Sequence, residues 1–117
     1  MARRGLGFPR SARLLRPEAY RRVFDDARRL RSPAFTVLVH EQQPPAEPRL
    51  GLAISRKCAR RAVDRNRIKR IVRESFRRHR AGLPPVDLVV LCRPEAARAE
   101  RAELHRQLER IWARIGA

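Results

Sequence analysis

Long apolar runs are missing from this chain of 117 residues. The longest strongly apolar stretch, residues 88–92, is far too short to cross a bilayer. The first 15 residues carry charges but no apolar segment of the kind found in secretion signals. We therefore expect a soluble protein located in the cytoplasm.

Cysteine and histidine are also scarce. Cys58 and Cys92 lie 34 positions apart without a CxxC pair, and His40, His79 and His105 are scattered along the chain. This spacing argues against a disulfide framework and against a structural zinc site. We expect Cys92 simply to pack in the core, and we expect the protein alone to hold no metal ion.

Acidic residues are few, with 12 Asp and Glu against 29 Lys and Arg. Asp25 and Asp26 are neighbours at the end of a predicted helix, where solvation is their expected role, and Asp87 begins a strand with no second acid nearby in sequence. Neither arrangement supplies a metal-binding acid pair or a nucleophile with a positioned base. We therefore predict no catalytic residues on this chain.

The net charge of +17 points to a polyanionic partner. Only Lys57 and Lys69 are lysines, so 29 − 2 = 27 of the basic residues are arginines, whose planar fork suits phosphates and guanine edges. Residues 1–32 carry +7 and residues 55–80 carry +10, whereas the remaining segments sum to zero. The pattern favours nucleic acid over an anionic membrane surface, although a genome rich in arginine codons would also raise the arginine content.

Hydrophobic periodicity predicts a single small domain over residues 1–117, in which the basic segment 1–16 is flexible when free. A first helix is predicted from Pro17 to just before Ser32, and two strands, or parts of three, at 34–40 and 49–55. A helix at 61–80, a buried strand at 87–93 and a last helix from 94 onwards follow. Trp112 lies within the apolar stripe of the last helix, which favours a core role over stacking on a base.

The strand at 49–55 has one bulky and one small face. Gly51, Ala53 and Ser55 alternate with leucine and isoleucine, so the small side chains all point the same way. Two interpretations are open: the small face admits a ligand, or it lets a helix approach the sheet closely.

The helix at 61–80 combines an apolar side with a basic side. At 100° per residue, Ile68, Ile71, Val72 and Phe76 share one side. The opposite side and its flanks carry Asn66, Arg70, Arg73 and Arg77 together with Arg65, Arg67 and Lys69. Only two acids interrupt the twelve basic residues of 55–80, whereas solvated helix faces generally mix both signs. We therefore predict a stripe that binds a polyanion.

Residues 60–77, which read RRAVDRNRIKRIVRESFR, resemble the RNR signature of the protein subunit of bacterial ribonuclease P. FPRSARLLRPEAYRRVF and RLGLAISRK before the motif, and VDLVVLCRP after it, stand in the order typical of that family. The resemblance covers roughly residues 8–115. It implies an α/β (α+β) two-layer sandwich of about four strands and three helices, in the order α-β-β-β-α-β-α, with a left-handed βαβ crossover of the kind that is rare in proteins.

The resemblance implies that the chain assists a ribozyme. An RNA subunit, using Mg²⁺ ions held mainly by that RNA, would remove the 5′ leader of precursor tRNA by endonucleolytic hydrolysis to give the mature 5′ end. The expected partners are therefore the ribonuclease P catalytic RNA and precursor tRNA, with no DNA and no membrane. The protein would be a subunit of the nuclease without carrying its active site.

The resemblance also assigns individual residues. The catalytic RNA would be contacted by Arg60, Arg61, Arg65, Asn66, Arg67, Lys69, Arg70, Arg73 and Arg77. A cleft for the single-stranded leader would be formed by Tyr20, Phe24, Phe35, Ser55, Arg56 and Lys57. In such a groove, bases are expected to stack on the aromatic rings while the cations follow the phosphate backbone of the RNA strand. Because Tyr20 and Phe24 also lie on the apolar stripe of the first helix, a core role competes with this assignment.

Two other functional classes compete with this interpretation. A general RNA-binding assembly protein of ribosomal type would show the same charge and the same salt dependence, and only the ordered set of motifs separates the two. A nuclease acting alone would need a cluster of acids that the sequence does not contain.

Overall fold

A computed structural model describes residue 13 and residues 17–42 and 47–116. The elements are α1 (Pro17–Asp25), β1 (Arg28–Arg31), β2 (Phe35–Glu41), β3 (Arg49–Ala53), α2 (Ala62–His79), β4 (Val86–Cys92) and α3 (Arg101–Gly116). Short 3-10 turns lie at Arg80–Gly82 and Pro94–Ala97. The predicted order α-β-β-β-α-β-α is confirmed, whereas the flexible segment predicted at 1–16 lies, apart from residue 13, outside the described residues. None of the helices in the described ranges is long and apolar enough to cross a membrane.

The four strands form one mixed sheet in the order β1-β2-β4-β3. β2 runs antiparallel to both of its neighbours, and β3 runs parallel to β4. Parallel neighbours need a crossover connection, which α2 supplies between β3 and β4. The left-handedness of this crossover stays a prediction.

The main core lies between the sheet and the pair of helices α2 and α3. Ile68 and Phe76 of α2 and Leu108 of α3 are fully buried there. Trp112 is only 3% exposed, and its Nε1 donates a hydrogen bond to Oγ of Ser75 at 2.8 Å. The core role predicted for Trp112 is therefore confirmed.

α1 packs on the opposite face of the sheet and forms a second, smaller apolar cluster. Val23 is fully buried there against Leu38 and Val89. The ring of Tyr20 lies directly over Gly51, where a Cβ atom would come within 2.7 Å of the ring. At Gly51 the small face of β3 accommodates a helix, as the second interpretation expected, whereas Ala53 is half-buried and Ser55 is exposed.

The first helix is shorter than predicted. It ends at Asp25, and Arg28–Arg31 form an edge strand instead of a further helical turn. Leu30, the apolar residue of this strand, is buried in the main core, because antiparallel pairing with β2 overrides the local helical pattern. Asp25 and Asp26 carry negative charge where the helix macrodipole disfavours it, which is a sequence signal for this helix end.

Cys58 and Cys92 form a disulfide, contrary to the expectation from their spacing. Their Cα atoms are 5.7 Å apart, a normal separation for a disulfide. Cys58 belongs to the turn before α2 and Cys92 ends β4, so the bond holds this turn against the sheet. The spacing of the two cysteines did not predict this disulfide, because positions far apart in the chain come together where the parallel strands β3 and β4 end side by side.

Asp87 has a structural role at the start of β4. It is buried, and its carboxylate accepts hydrogen bonds from Nε and Nη2 of Arg49, both at 2.8 Å, and from Nε2 of Gln42 at 2.7 Å. The hydrogen bond to Asp87 raises the pKa of Arg49. This network joins the first residues of β3 and β4 to the end of β2.

Candidate nucleic-acid interface

A basic stripe follows the solvent side of α2. Asn66, Arg70 and Arg73 are exposed. Arg77 is half-buried and lies on the same side of the helix. From Asn66 through Arg70 and Arg73 to Arg77, the successive spacings are four, three and four positions, which keeps all four residues on one side. Lys69 is half-buried on the flank. From residue 66 to residue 77 the stripe is about 16 Å long, enough to follow several phosphates. Contact with RNA along it stays a prediction.

The two acids of this segment do not neutralise the stripe. Glu74 turns towards α3, where its Oε1 accepts a hydrogen bond from Nη2 of Arg101 at 2.6 Å and lies 3.5 Å from Nε2 of His105. Asp64 lies in the first turn of α2, where the helix macrodipole favours a negative charge. Within residues 55–80, neither acid therefore pairs with a cation of the stripe.

Both arginines of the Arg-Asn-Arg motif also make hydrogen bonds within the fold. Nη1 of Arg65 donates to the carbonyl oxygens of Ala59 at 2.9 Å and Arg60 at 2.8 Å. Nη2 of Arg67 donates to the carbonyl oxygen of Ala99 at 2.9 Å, which ties α2 to the residues before α3. A guanidinium has five N–H donors, so both side chains keep donors for a phosphate. Sequence reasoning treated the two arginines as free cations and missed this second role.

The turn between β3 and α2 presents further cations. Ser55 begins the turn, since its carbonyl oxygen accepts hydrogen bonds from the N–H groups of Cys58 and Ala59, both at 3.2 Å. The basic side chains of this turn are all exposed: Arg56, Lys57, Arg60 and Arg61. The disulfide of Cys58 holds this cationic turn in place.

α1 and the sheet form a second candidate surface. Tyr20 is half-buried over Gly51, and Phe24, one helical turn later, is 46% exposed. Among the residues with a described side chain, Phe24 and Val63 are the exposed large apolar ones. Phe24 lies on α1 and Val63 in the first turn of α2, so each candidate surface displays an apolar side chain.

Phe35 does not lie on this second surface. Its side chain has no exposed area and packs in the main core, under α2 and α3. Successive residues of a strand point to opposite faces, and Leu38 of the same strand packs on the α1 side. The assignment of Phe35 to the leader cleft is therefore corrected to a core role. For Tyr20 and Phe24, and for the exposed turn that begins at Ser55, contact with a leader stays a prediction.

The two candidate surfaces lie on opposite faces of the sheet, and the turn between β3 and α2 connects the strand under Tyr20 to the helix that carries the basic stripe. α1 covers part of one face, and α2 covers the other.

Comparison with known proteins decides the family. The family model described as Ribonuclease P matches residues 8–116. The chain belongs to the ribonuclease P protein family. A ribonuclease P protein component of Thioalkalivibrio sulfidiphilus is 59% identical over 109 residues, which is 93% of this chain and 90% of that protein. The corresponding protein of Methylococcus capsulatus is 53% identical over 108 residues, 92% of this chain and 84% of its own length.

Solved ribonuclease P proteins share the fold. The protein of Staphylococcus aureus matches with a TM-score of 0.84 at 24% identity, covering 92% of this chain and 100% of that one. The protein of Thermotoga maritima matches with a TM-score of 0.78 at 29% identity, covering 90% of this chain and 98% of that one. The resemblance carried by the RNR motif is confirmed. The chain is a protein component of an endoribonuclease of tRNA processing in which RNA carries the catalysis, and the assembly-protein alternative is not favoured.

Proposed function

We propose that this protein binds the catalytic RNA of ribonuclease P along α2 and the 5′ leader of precursor tRNA beside α1, and so assists magnesium-dependent removal of the leader. The observation that carries this proposal is the presence of two distinct surfaces joined by one cationic turn. The α2 surface is a basic stripe, and of the two acids in the same segment Glu74 pairs with Arg101 and Asp64 lies in the first turn of α2. The α1 surface offers Tyr20 and the exposed Phe24.

Charge neutralisation is the first contribution of the protein. The catalytic RNA and the precursor tRNA are both polyanions, and a chain of net charge +17 reduces their mutual repulsion while it releases condensed counterions. We assign the Mg²⁺ ions of the reaction to the RNA, because phosphate oxygens are ligands that Mg²⁺ prefers. The processing of tRNA precursors also supports a cytoplasmic location.

Recognition of the single strand is the second contribution. Stacking of a base on an aromatic ring contributes roughly 1–3 kcal/mol and tolerates any sequence. Phe24 has the exposed ring that such stacking needs, and Arg56 and Lys57 supply exposed cations near the end of β3. A groove of this kind holds a leader without depending on its sequence.

Leader length tests this proposal. The dissociation constant for precursor tRNA is measured with the RNA subunit alone and with the reconstituted holoenzyme, for a one-nucleotide leader and for a leader long enough to cross the sheet. The protein is expected to tighten binding of the long-leader substrate more, and Phe24→Ala to remove part of that gain. Arg114→Ala, an exposed position on α3, is the control. Equal tightening of both substrates by the wild-type protein contradicts leader binding.

A further inference from the structure

The two cysteines of the chain join the cationic turn to the sheet. We define the cationic turn as residues 55–61, between β3 and α2. Cys58 lies in the middle of this turn, and Cys92 is the last residue of β4. The chain contains no other cysteine. On either side of Cys58 the turn exposes its four cations, Arg56, Lys57, Arg60 and Arg61.

The other polar contacts of the turn are local. The N–H groups of Cys58 and Ala59 donate to the carbonyl oxygen of Ser55, and Nη1 of Arg65, in the first turn of α2, donates to the carbonyl oxygens of Ala59 and Arg60. Within the described ranges, no hydrogen bond from the backbone of residues 56–61 or from their basic side chains reaches a strand or α3. The disulfide and the burial of the small Ala59 therefore fix the turn to the rest of the fold.

The fold also accommodates a free thiol at Cys58. Its Sγ lies 3.5 Å from the carbonyl oxygen of Arg93. The N–H group of Arg93 donates to the carbonyl oxygen of Ala34 at 2.8 Å, which holds this acceptor beside the start of β2. A thiol is only a weak hydrogen-bond donor. The oxidised turn is thus tethered by a covalent bond, and the reduced turn by a weak S–H···O contact in the same place.

The location proposed for the protein makes this bond reversible. Thiol reductants keep most cysteines of the cytoplasm reduced, and the disulfides that form there are usually transient and redox-sensing. Cys92 is half-buried and Cys58 is only 5% exposed, so Cys92 is the more accessible of the two. We therefore place the attack of an external thiolate at Cys92.

Reduction by a dithiol proceeds by two exchange steps. A thiolate of the reductant attacks Sγ of Cys92, the bond between the two cysteines breaks, and Cys58 leaves as a thiolate that takes up a proton. The second thiolate of the reductant then attacks the reductant sulfur of the mixed disulfide, which releases Cys92 and leaves the reductant as a disulfide. Oxidation by a small disulfide such as oxidised glutathione runs the same exchange in reverse and yields two molecules of glutathione.

We infer that Cys58 and Cys92 form a reversible redox site that sets the affinity of the protein for the catalytic RNA through the cationic turn. This inference rests on the proposed function, and it adds regulation by two side chains that are not themselves assigned to RNA. A covalently held turn presents its cations in a fixed position, so RNA binding has less of the protein to order. The oxidised protein therefore binds the RNA more tightly than the reduced protein.

The experiment measures the dissociation constant of the full-length protein for ribonuclease P RNA in glutathione buffers of varied thiol-to-disulfide ratio. Thiol titration and intact mass report the redox state and distinguish the internal disulfide from a glutathione adduct. The oxidised protein is expected to bind about three- to tenfold more tightly, with an unchanged log–log salt slope because the number of contacted phosphates is the same. The double variant Cys58→Ser, Cys92→Ser should bind like the reduced wild type in every buffer, since it retains no cysteine.

Arg60 and Arg70 provide a matched pair of variants. Both arginines are exposed and both are assigned to the catalytic RNA, but only Arg60 belongs to the cationic turn. Arg70→Ala should weaken binding by the same factor in both redox states and leave the ratio of the two dissociation constants unchanged. Arg60→Ala should lower this ratio, because one of the cations whose position the disulfide fixes is missing. Equal ratios in the two variants contradict the role of the turn.

Equal affinities of the oxidised and the reduced wild-type protein would overturn the inference, as would two free thiols in the most oxidising buffer. A loss of affinity on reduction that coincides with unfolding, measured by circular dichroism, also overturns it, since the effect then belongs to stability. A wild-type protein that binds the RNA in neither redox state contradicts the proposed function. Binding in both states without a difference contradicts only the redox site.

Discussion

At the scale of single residues, two arginines of α2 differ in their expected roles. One is expected to contribute to RNA binding alone, and the other to RNA binding and to the stability of the fold. Arg70 is exposed on the stripe, whereas Arg67 also holds the carbonyl oxygen of Ala99. Each position contributes a positive charge, but only Arg67 contributes a hydrogen bond between α2 and the residues before α3. Their substitutions should therefore have the same effect on salt dependence and different effects on stability.

We expect Arg70→Ala to weaken binding of the catalytic RNA and to lower the log–log salt slope by about one, with unchanged stability. Arg67→Ala should lower the slope similarly and also reduce the free energy of unfolding by about 1 kcal/mol, because a charge-assisted hydrogen bond is lost. RNA affinity as a function of salt and urea unfolding measure the two effects, with Arg114→Ala on α3 as the control. An unchanged slope in both variants contradicts the role assigned to the stripe.

His105 is a single residue that makes the stability of the fold depend on pH. Burial and the nearby Arg101 lower the pKa of His105, and Arg78 acts in the same direction, whereas Glu74 opposes the shift. A histidine whose pKa is lower in the folded state takes up a proton more readily when unfolded. The stability that it contributes is present above the unfolded pKa of about 6.5 and is lost as the pH falls below it.

We therefore predict that the wild-type protein loses more stability between neutral and mildly acidic pH than His105→Gln does. Urea unfolding at pH values on both sides of about 6.5 measures the difference. The other two histidines are common to both proteins, so the comparison isolates residue 105. Parallel pH profiles of the two proteins contradict the lowered pKa.

At the scale of elements, the sequence predicted those helices and strands whose apolar pattern is strong. α2 was expected at 61–80 and spans Ala62–His79, and β4 was expected at 87–93 and spans Val86–Cys92. β1 was missed because three of its four residues are arginines, and it becomes a strand only by pairing with β2. The face on which Phe35 lies was also missed, since it depends on the register of β2 within the folded sheet.

At the scale of elements, the disulfide joins the turn before α2 to the end of β4. Joining Cys58 to Cys92 closes a loop that contains all of α2, and closing a loop of this length stabilises the folded chain by about 2–4 kcal/mol in the chain-entropy model. The double variant Cys58→Ser, Cys92→Ser should lose about this amount relative to the oxidised wild type. Urea unfolding with and without reductant measures it.

Reductant gives the internal control for this prediction. It should lower the stability of the wild-type protein towards that of the double variant and leave the variant unchanged. Titration of two free thiols in the unreduced wild-type protein, together with stability that does not respond to reductant, would show that the bond does not form in solution.

At the scale of the whole molecule, charge distribution and motif order were sufficient to predict the function class. The +17 net charge concentrates in the chain start and in residues 55–80, and the RNR motif lies in the second of these segments. The arrangement of the two candidate surfaces could not be predicted in the same way. It depends on which face of the sheet each helix covers and on the β1-β2-β4-β3 strand order, which arises from contacts between distant parts of the chain.

The central claim is that the protein assists an RNA that cleaves precursor tRNA. Cleavage at the 5′ end of a precursor tRNA is measured at low Mg²⁺ with the protein alone, with a bacterial ribonuclease P RNA alone, and with the two together. We predict activity only in the mixture, with the mature 5′ end as product. Cleavage by the protein alone, or tight RNA binding without any stimulation of cleavage, would contradict the account.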